Sequence, residues 1–263
     1  MSCTKQLILI LRIKEGLKKT SLINKIPTFN LQVTSMKVNT LPQAIFFDMD
    51  GVLFDSMPAH AKSWNIVAQR YGFDLPYEEV FMHEGRTGFA TINMLMQRKC
   101  GRQATQQEID EIYEAKCEEF NKYPTASKMP GAQELLTKIA KMGIPTFVVT
   151  GSGQASLLER LQSNFPGVFH PDHIISSKDV KHGKPHPEPY LMALDRAGVE
   201  ASEAIVIENA PLGVRSARAA GIFTIAVNTG PLPEIALKAE GANLLFNSMN
   251  ELCQAWDNLF EHP

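Results

Sequence analysis

The sequence predicts an α/β protein: a parallel sheet with helices on both faces, interrupted once by an all-helical insert. Three observations carry this reading. Short apolar runs alternate with helical patterns over most of the chain, as strands joined by crossover helices do. Strand signals vanish between the first run and the second. The length, 263 residues with 44% apolar, leaves room for a core plus a smaller insert.

The first strand is read at Gln43 to Asp48, a short apolar run of the kind buried in parallel sheets. A helix follows from Met57 to about Tyr71, stopped by Gly72. The pattern then stays helical to about Ser127. Gly88 to Lys99 puts Ile92, Leu95 and Met96 on one face, and Thr105 begins a segment through Tyr123 with Glu108 at the capping-box position. Strands return at 145–150, 174–175, 204–208, 223–227 and 242–246, separated by helical patterns at 131–142, 154–163, 187–197, 211–220 and 233–239. Residues 41–56 and 128–263 are therefore assigned to the α/β core and 57–127 to a helical cap.

Charge is unevenly spread. Residues 1–40 hold seven Lys or Arg against Glu15 alone, a net of +6. The remainder carries 19 basic and 27 acidic residues, a net of −8. This balance excludes a strongly basic nucleic-acid binder, and no run approaches the ~18 apolar residues of a membrane span. Leu7 to Leu11 is short, is broken by Arg12 and Lys14, and makes a poor signal peptide. Cys3, Cys100, Cys117 and Cys253 form no C-x-x-C pair, which fits reduced, separate thiols in a soluble cytoplasmic monomer.

In an open parallel sheet the working site lies beyond the carboxyl ends of the strands. Those ends and the loops after them supply Asp48-Met-Asp50-Gly51-Val-Leu-Phe-Asp55-Ser56, then Thr150-Gly151-Ser152-Gly153, Lys184 in its Pro-rich loop, and Glu208-Asn209. A dinucleotide loop does not fit the second, because Ser156 stands where Gly-x-Gly-x-x-Gly needs its last glycine. His170, His173, His182 and His186 read as surface histidines.

The run Asp-x-Asp-Gly-Val-x-x-Asp-Ser after an apolar strand resembles the first motif of the haloacid dehalogenase superfamily. Thr150, Lys184 and Glu208-Asn209 match its other three in order. The resemblance spans about residues 43–258. Gly-Lys-Pro-x-Pro-x-x-Tyr at 183–190 and Pro-Leu-Gly-Val-x-Ser-Ala-x-Ala-Ala-Gly at 211–221 are most similar to the β-phosphoglucomutase-like subfamily. The resemblance implies a Rossmann-like core with an inserted helical cap, and phosphoryl transfer. It makes Asp48 the nucleophile and Asp50 the acid–base group, with Gly51 turning the chain so that both carboxylates are exposed. Mg²⁺ would be held by Asp48, the Asp50 carbonyl and Asn209, with Glu208 adjacent or acting through water. Thr150 and the Gly151-Ser152-Gly153 amides would hold phosphoryl oxygens at a helix N-terminus, and Lys184 would pair with Asp48 and the phosphate.

Two departures matter. Asn209 stands where the subfamily usually has Asp, which removes one negative charge and implies weaker metal binding. Aligned on Gly85, the arginine that grips the distal phosphate in bacterial β-phosphoglucomutases is replaced by Gly88, and Arg86 is the only Arg nearby, open either to reaching over in its place or to pairing with Glu84. In the cap, His60 and Trp64 share a helix face, and Lys116 falls where the family has a substrate-contacting Lys. The expected function is a Mg²⁺-dependent phosphatase of a small phosphorylated metabolite, such as a sugar phosphate. The alternatives are a β-phosphoglucomutase-type mutase and a non-catalytic sugar-phosphate sensor. The basic leader is not needed by this fold. Met36 begins the short lead common in the family, so residues 1–35 are expected to be a mis-set start or a loosely attached tail.

Overall fold

The computed structural model describes residues 41–153 and 157–260. The basic leader, and the start expected at 154 for the helix after the second strand, lie outside the described residues. Six parallel strands form one sheet: β1 (Ala44–Phe47), β2 (Thr146–Val149), β3 (Ile174–Ile175), β4 (Ala204–Glu208), β5 (Phe223–Val227) and β6 (Leu244–Phe246). Their spatial order is β3-β2-β1-β4-β5-β6, so β1 lies in the middle, beside β2 and β4. The strand order reverses direction beside β1, where α/β sheets open a crevice for ligands.

Alternation along the strands explains why their sequences look continuously apolar. Ile45, Phe47, Val148, Ile205 and Ile207 face one layer of helices, while Ala44, Phe46, Phe147, Val149 and Val206 face the other. Four of the five helices between β1 and β2 form the insert: α1 (Met57–Arg70), α2 (Tyr77–Met82), α3 (Gly88–Cys100) and α4 (Gln106–Phe120). They close on an apolar cluster of their own that includes Trp64, Phe81, Ile92, Leu95 and Ile112. The long helical stretch of the sequence is thus punctuated by loops at 71–76, 83–87 and 101–105. Thr105 caps α4 with the complete reciprocal box to Glu108. The last of the loops that follow α4 leads into α5 (Ala132–Lys141), and α6 (Leu157–Asn164), α7 (Glu188–Ala197), α8 (Pro211–Ala219), α9 (Glu234–Lys238) and α10 (Met249–Ala255) complete the two layers.

Helix α10 carries no strong motif, and its anchor is Trp256 immediately after it. That ring is fully buried, packs edge-on against Phe260 at 5.1 Å, and joins the layer formed by Leu135, Leu136 and Leu252. Trp256→Ala should cost about 3–5 kcal/mol, read as a lowered denaturant midpoint at unchanged slope.

Candidate active site

Strand β1 ends by delivering Asp48 to the centre of the crevice, its amide bonded to the Ile207 carbonyl at 3.0 Å. Two residues on, Gly51 turns the chain back with φ +88°, a conformation that side chains resist. A Cβ there would also run into the Asn209 amide. The turn is tied down by Gly51 N donating to Phe54 O at 2.7 Å and by Thr229 Oγ1 donating to Gly51 O at 2.7 Å. The turn does not leave both carboxylates exposed: Asp48 is 3% exposed because the helical insert lies over it.

Lys184 reaches in beside Asp48. Its ammonium donates to Asp48 Oδ1 at 2.6 Å, Glu208 Oε1 at 2.6 Å and the Val149 carbonyl at 2.9 Å, so its three protons are used. Glu208 is completely buried and fully engaged. Tyr190 donates to Oε1 at 2.8 Å, and the Asn209 and Ala210 amides donate to Oε2 at 3.0 and 3.2 Å. These bonds make Glu208 an orienter of Lys184. Tyr190 closes the Gly-Lys-Pro-x-Pro-x-x-Tyr run at 183–190, yet its contact with Glu208 had no signal in the sequence.

Asn209 is more informative. Its Nδ2 donates to both oxygens of Glu84, at 3.0 and 3.1 Å, while Oδ1 is buried with no donor. Glu84 comes from the loop between α2 and α3 and is 8% exposed. It does not pair with Arg86, the partner open to it from sequence, because Asn209 holds it 125 positions away along the chain. Burial, then Asp48 and Glu208, push the Glu84 carboxyl well above its usual range. Burial likewise pushes Asp48 up to about 8, with Lys184 pulling the other way and Glu208 and Asp50 adding to the rise.

Asp48 and Glu208 therefore share one ammonium, Glu84 has only an amide donor, and the Asn209 acceptor oxygen stands idle beside them. Such a donor set fits a hard divalent cation. No cluster of three His, Cys, Asp or Glu in metal-binding array occurs among the described residues. The fit here draws instead on an Asn oxygen and a main-chain carbonyl.

Asp50 behaves differently. Burial opposes its charge, but His60, Arg160 and Ser56 outweigh that and hold the carboxyl well below its usual range. Ser56 Oγ donates to Oδ1, and His60 Nε2 stands 3.4 Å from the same oxygen. On the other side of the ring, Lys116 Nζ lies 2.9 Å from His60 Nδ1. With the ammonium donating there, the imidazole proton sits on Nε2, facing Asp50. Lys116 is 3% exposed, and its ammonium lies over the rings of Trp64 and Phe120, 5.8 and 4.7 Å from their centroids. Burial pushes Lys116 down to about 8.

The cavity over Asp48 and Asp50 is lined on the sheet side by Thr150, Gly151 and Ser152, and on the insert side by His60, Trp64, Arg86, Tyr113 and Lys116. Every insert residue expected from sequence is thus on the wall, and Tyr113 joins them. Its ring packs against Gly88, the position where a distal-phosphate Arg was looked for, so no side chain stands there. Ser152 N donates to Thr150 Oγ1 at 3.0 Å, which shapes the loop. The helix N-terminus expected just after that loop falls among residues 154–156, outside the described residues. A Cβ on Gly151 would fall 2.7 Å from the Gly85 carbonyl oxygen, so the insert approaches the loop backbone to backbone.

Known proteins give this arrangement a family. The haloacid dehalogenase-like hydrolase pattern matches residues 45–227. Hexitol phosphatase A of Escherichia coli is 31% identical over 80% of this chain and 93% of its own. A phosphorylated carbohydrates phosphatase of Thermotoga maritima is 31% identical over 70% of this chain and 83% of its own. A solved structure from Bacteroides vulgatus, provisionally described as a β-phosphoglucomutase, shares 57% identity at a TM-score of 0.81, covering 84% of this chain and 90% of that one. The chain belongs to the haloacid dehalogenase-like hydrolases.

Proposed function

We propose that this protein is a Mg²⁺-dependent phosphatase of small phosphorylated metabolites, of the sugar-phosphate class, working through an aspartyl-phosphate. The carrying observation is the pair of carboxylates on one strand end with opposite electrostatic treatment. Asp48 shares Lys184 with Glu208, while Asp50 is held by Ser56, His60 and Arg160. The named phosphatases among its relatives support the same class.

Asp48 accepts the Lys184 proton on Oδ1, leaving Oδ2 to attack phosphorus in line. The P–O bond to the leaving group breaks, and that oxygen takes its proton from Asp50, which is ionised before substrate binds and takes up one proton as the phosphate monoester settles beside it. Asp50 then takes a proton from the water that attacks the aspartyl-phosphate, releasing phosphate and restoring Asp48. Thr150 Oγ1 and the amides of Gly151 and Ser152 steady the phosphoryl oxygens, and Lys184 offsets their charge. Asp48, the Asp50 carbonyl and Asn209 Oδ1 would hold the cation, with Glu84 beside them. When bound, Mg²⁺ neutralises charge on the phosphoryl oxygens and on the crowded carboxylates.

The insert acts as a cap that excludes water and receives the leaving group. Its wall carries Lys116 and Arg86, neither paired with a carboxylate among the described residues, and Arg86 Nε is buried without a partner. Cations without counter-charge on this wall fit a compact leaving group rich in acceptor oxygens. A mutase must grip a second phosphate while its intermediate reorients. Gly88 supplies no anchor for that, which favours hydrolysis.

A panel of hexose, hexitol and polyol monophosphates, sugar bisphosphates and small phosphoanhydrides, run beside β-glucose 1-phosphate isomerisation, tests the reading. Phosphate release without isomerisation is the expected result. Isomerisation supported by glucose 1,6-bisphosphate would replace it with the mutase, and saturable binding without turnover at saturating Mg²⁺ with the sensor. Asp48→Asn should lower kcat at least about a thousandfold. Glu84→Gln should raise the Mg²⁺ concentration for half-maximal activity about tenfold, with the same rise in the Mg²⁺ needed to shift the thermal midpoint.

A further inference from the structure

We propose that Arg160 is a positioning residue for Asp50: an anchor on the sheet side of the crevice that holds the acid–base carboxylate by one oxygen and leaves the other for the leaving group. The inference rests on the hydrolase reading above and adds a residue that none of the four motifs contains.

Arg160 lies on α6, outside every motif, yet its side chain runs into the site. Its guanidinium carbon sits 4.0 Å from the centroid of the Phe54 ring, and Nη1 is 3.9 Å from Asp50 Oδ1. The side chain is 16% exposed, and Nε and Nη2 are buried with no partner. An arginine that merely stitches a core together spends its fork on carbonyls or a two-pronged carboxylate. This one has a single carboxylate in reach among the described residues, and it is Asp50.

The three donor groups around Asp50 converge on the same atom. Ser56 Oγ, His60 Nε2 and Arg160 Nη1 all address Oδ1, and no donor among the described residues reaches Oδ2. A carboxylate gripped by one oxygen keeps a fixed direction for the other, which sets where its proton is delivered. The three grips are not equivalent in origin. His60 is on α1, in the insert, and Ser56 is the N-cap residue of that helix, at the junction with the core. Arg160 and Phe54 belong to the sheet side. Phe54 is bonded through its amide to Met49 O and through its carbonyl to Gly51 N, so the ring under the guanidinium is part of the catalytic turn itself. Arg160 thus ties the aim of Asp50 to the scaffold that carries Asp48.

The test uses leaving groups of unequal need. An alkyl phosphate must have its departing oxygen protonated, whereas p-nitrophenolate leaves with little help. For the wild type, Arg160→Met, which keeps the packing on Phe54, and Arg160→Lys, which keeps the charge, kcat/KM is measured on p-nitrophenyl phosphate and on the best alkyl monophosphate of the panel above. Arg160→Met should lose about tenfold on the alkyl ester and less than about twofold on the aryl ester, and Arg160→Lys should recover part of the loss. The ratio is internal to each sample, so it is indifferent to how much of a variant is folded. If Arg160→Met yields no folded protein, Arg160→Gln gives the same ratio. Equal losses on both esters, or no loss, overturn the proposal and leave the hydrolase reading standing. A wild type inactive on every phosphate overturns both.

Discussion

The ammonium of Lys184, buried between Asp48 and Glu208, organises the rest of the site. Removing one member of such a buried set leaves uncompensated charge, at a cost of about 3–5 kcal/mol, so the arrangement demands its own support. That support explains details otherwise unconnected. Tyr190 and two main-chain amides saturate Glu208, and Gly213 lacks the Cβ that would strike the Glu208 carboxylate. With Glu208 satisfied, Lys184 has one remaining task, which is to face Asp48 and whatever binds it.

The charge around this lysine is deliberately incomplete. Asp48 and Glu208 share the Lys184 ammonium and Glu84 has only the Asn209 amide, while Lys116 and Arg86 stand without a carboxylate among the described residues on the insert side. A closed crevice with a negative floor and a positive roof is a poor resting place for either set alone. A divalent cation below and an acceptor-rich substrate above would balance both, because low-dielectric surroundings magnify each uncompensated charge. The insert is therefore more than a lid. Its loop carries Glu84 into the floor, while its helices carry the cationic roof.

How much of this could be read in the chain depended on whether the information was local. Strands showed through because each is buried on both faces, and α4 because its capping box lies within four residues. Asp48, Asp50, Thr150, Lys184 and Asn209 were legible because topology sends every strand's carboxyl end to the same crevice. Glu84, Tyr190, Tyr113 and Arg160 were not. Their partners lie on other elements, from 18 to 125 residues away, and although Tyr190 closes a motif, nothing local names the partner of any of them. Helix α10 was missed for a related reason: its few apolar positions need Trp256 and the sheet to give them a face. The side of the insert that meets the site was partly legible, since His60 and Trp64 are one helical turn apart and both reach the wall.

Asn209 looked in isolation like a weakened metal ligand. Its amide hydrogens instead lie against the two oxygens of Glu84, at a distance where a second carboxylate would meet the first with no proton between them. Positions 84 and 209 consequently form one unit of substitution: an acid at 209 calls for something other than an acid at 84, and each single exchange passes through a state with either two clashing charges or too few. For a chain of this kind, the pair says more about how the crevice is charged than either residue does when compared alone.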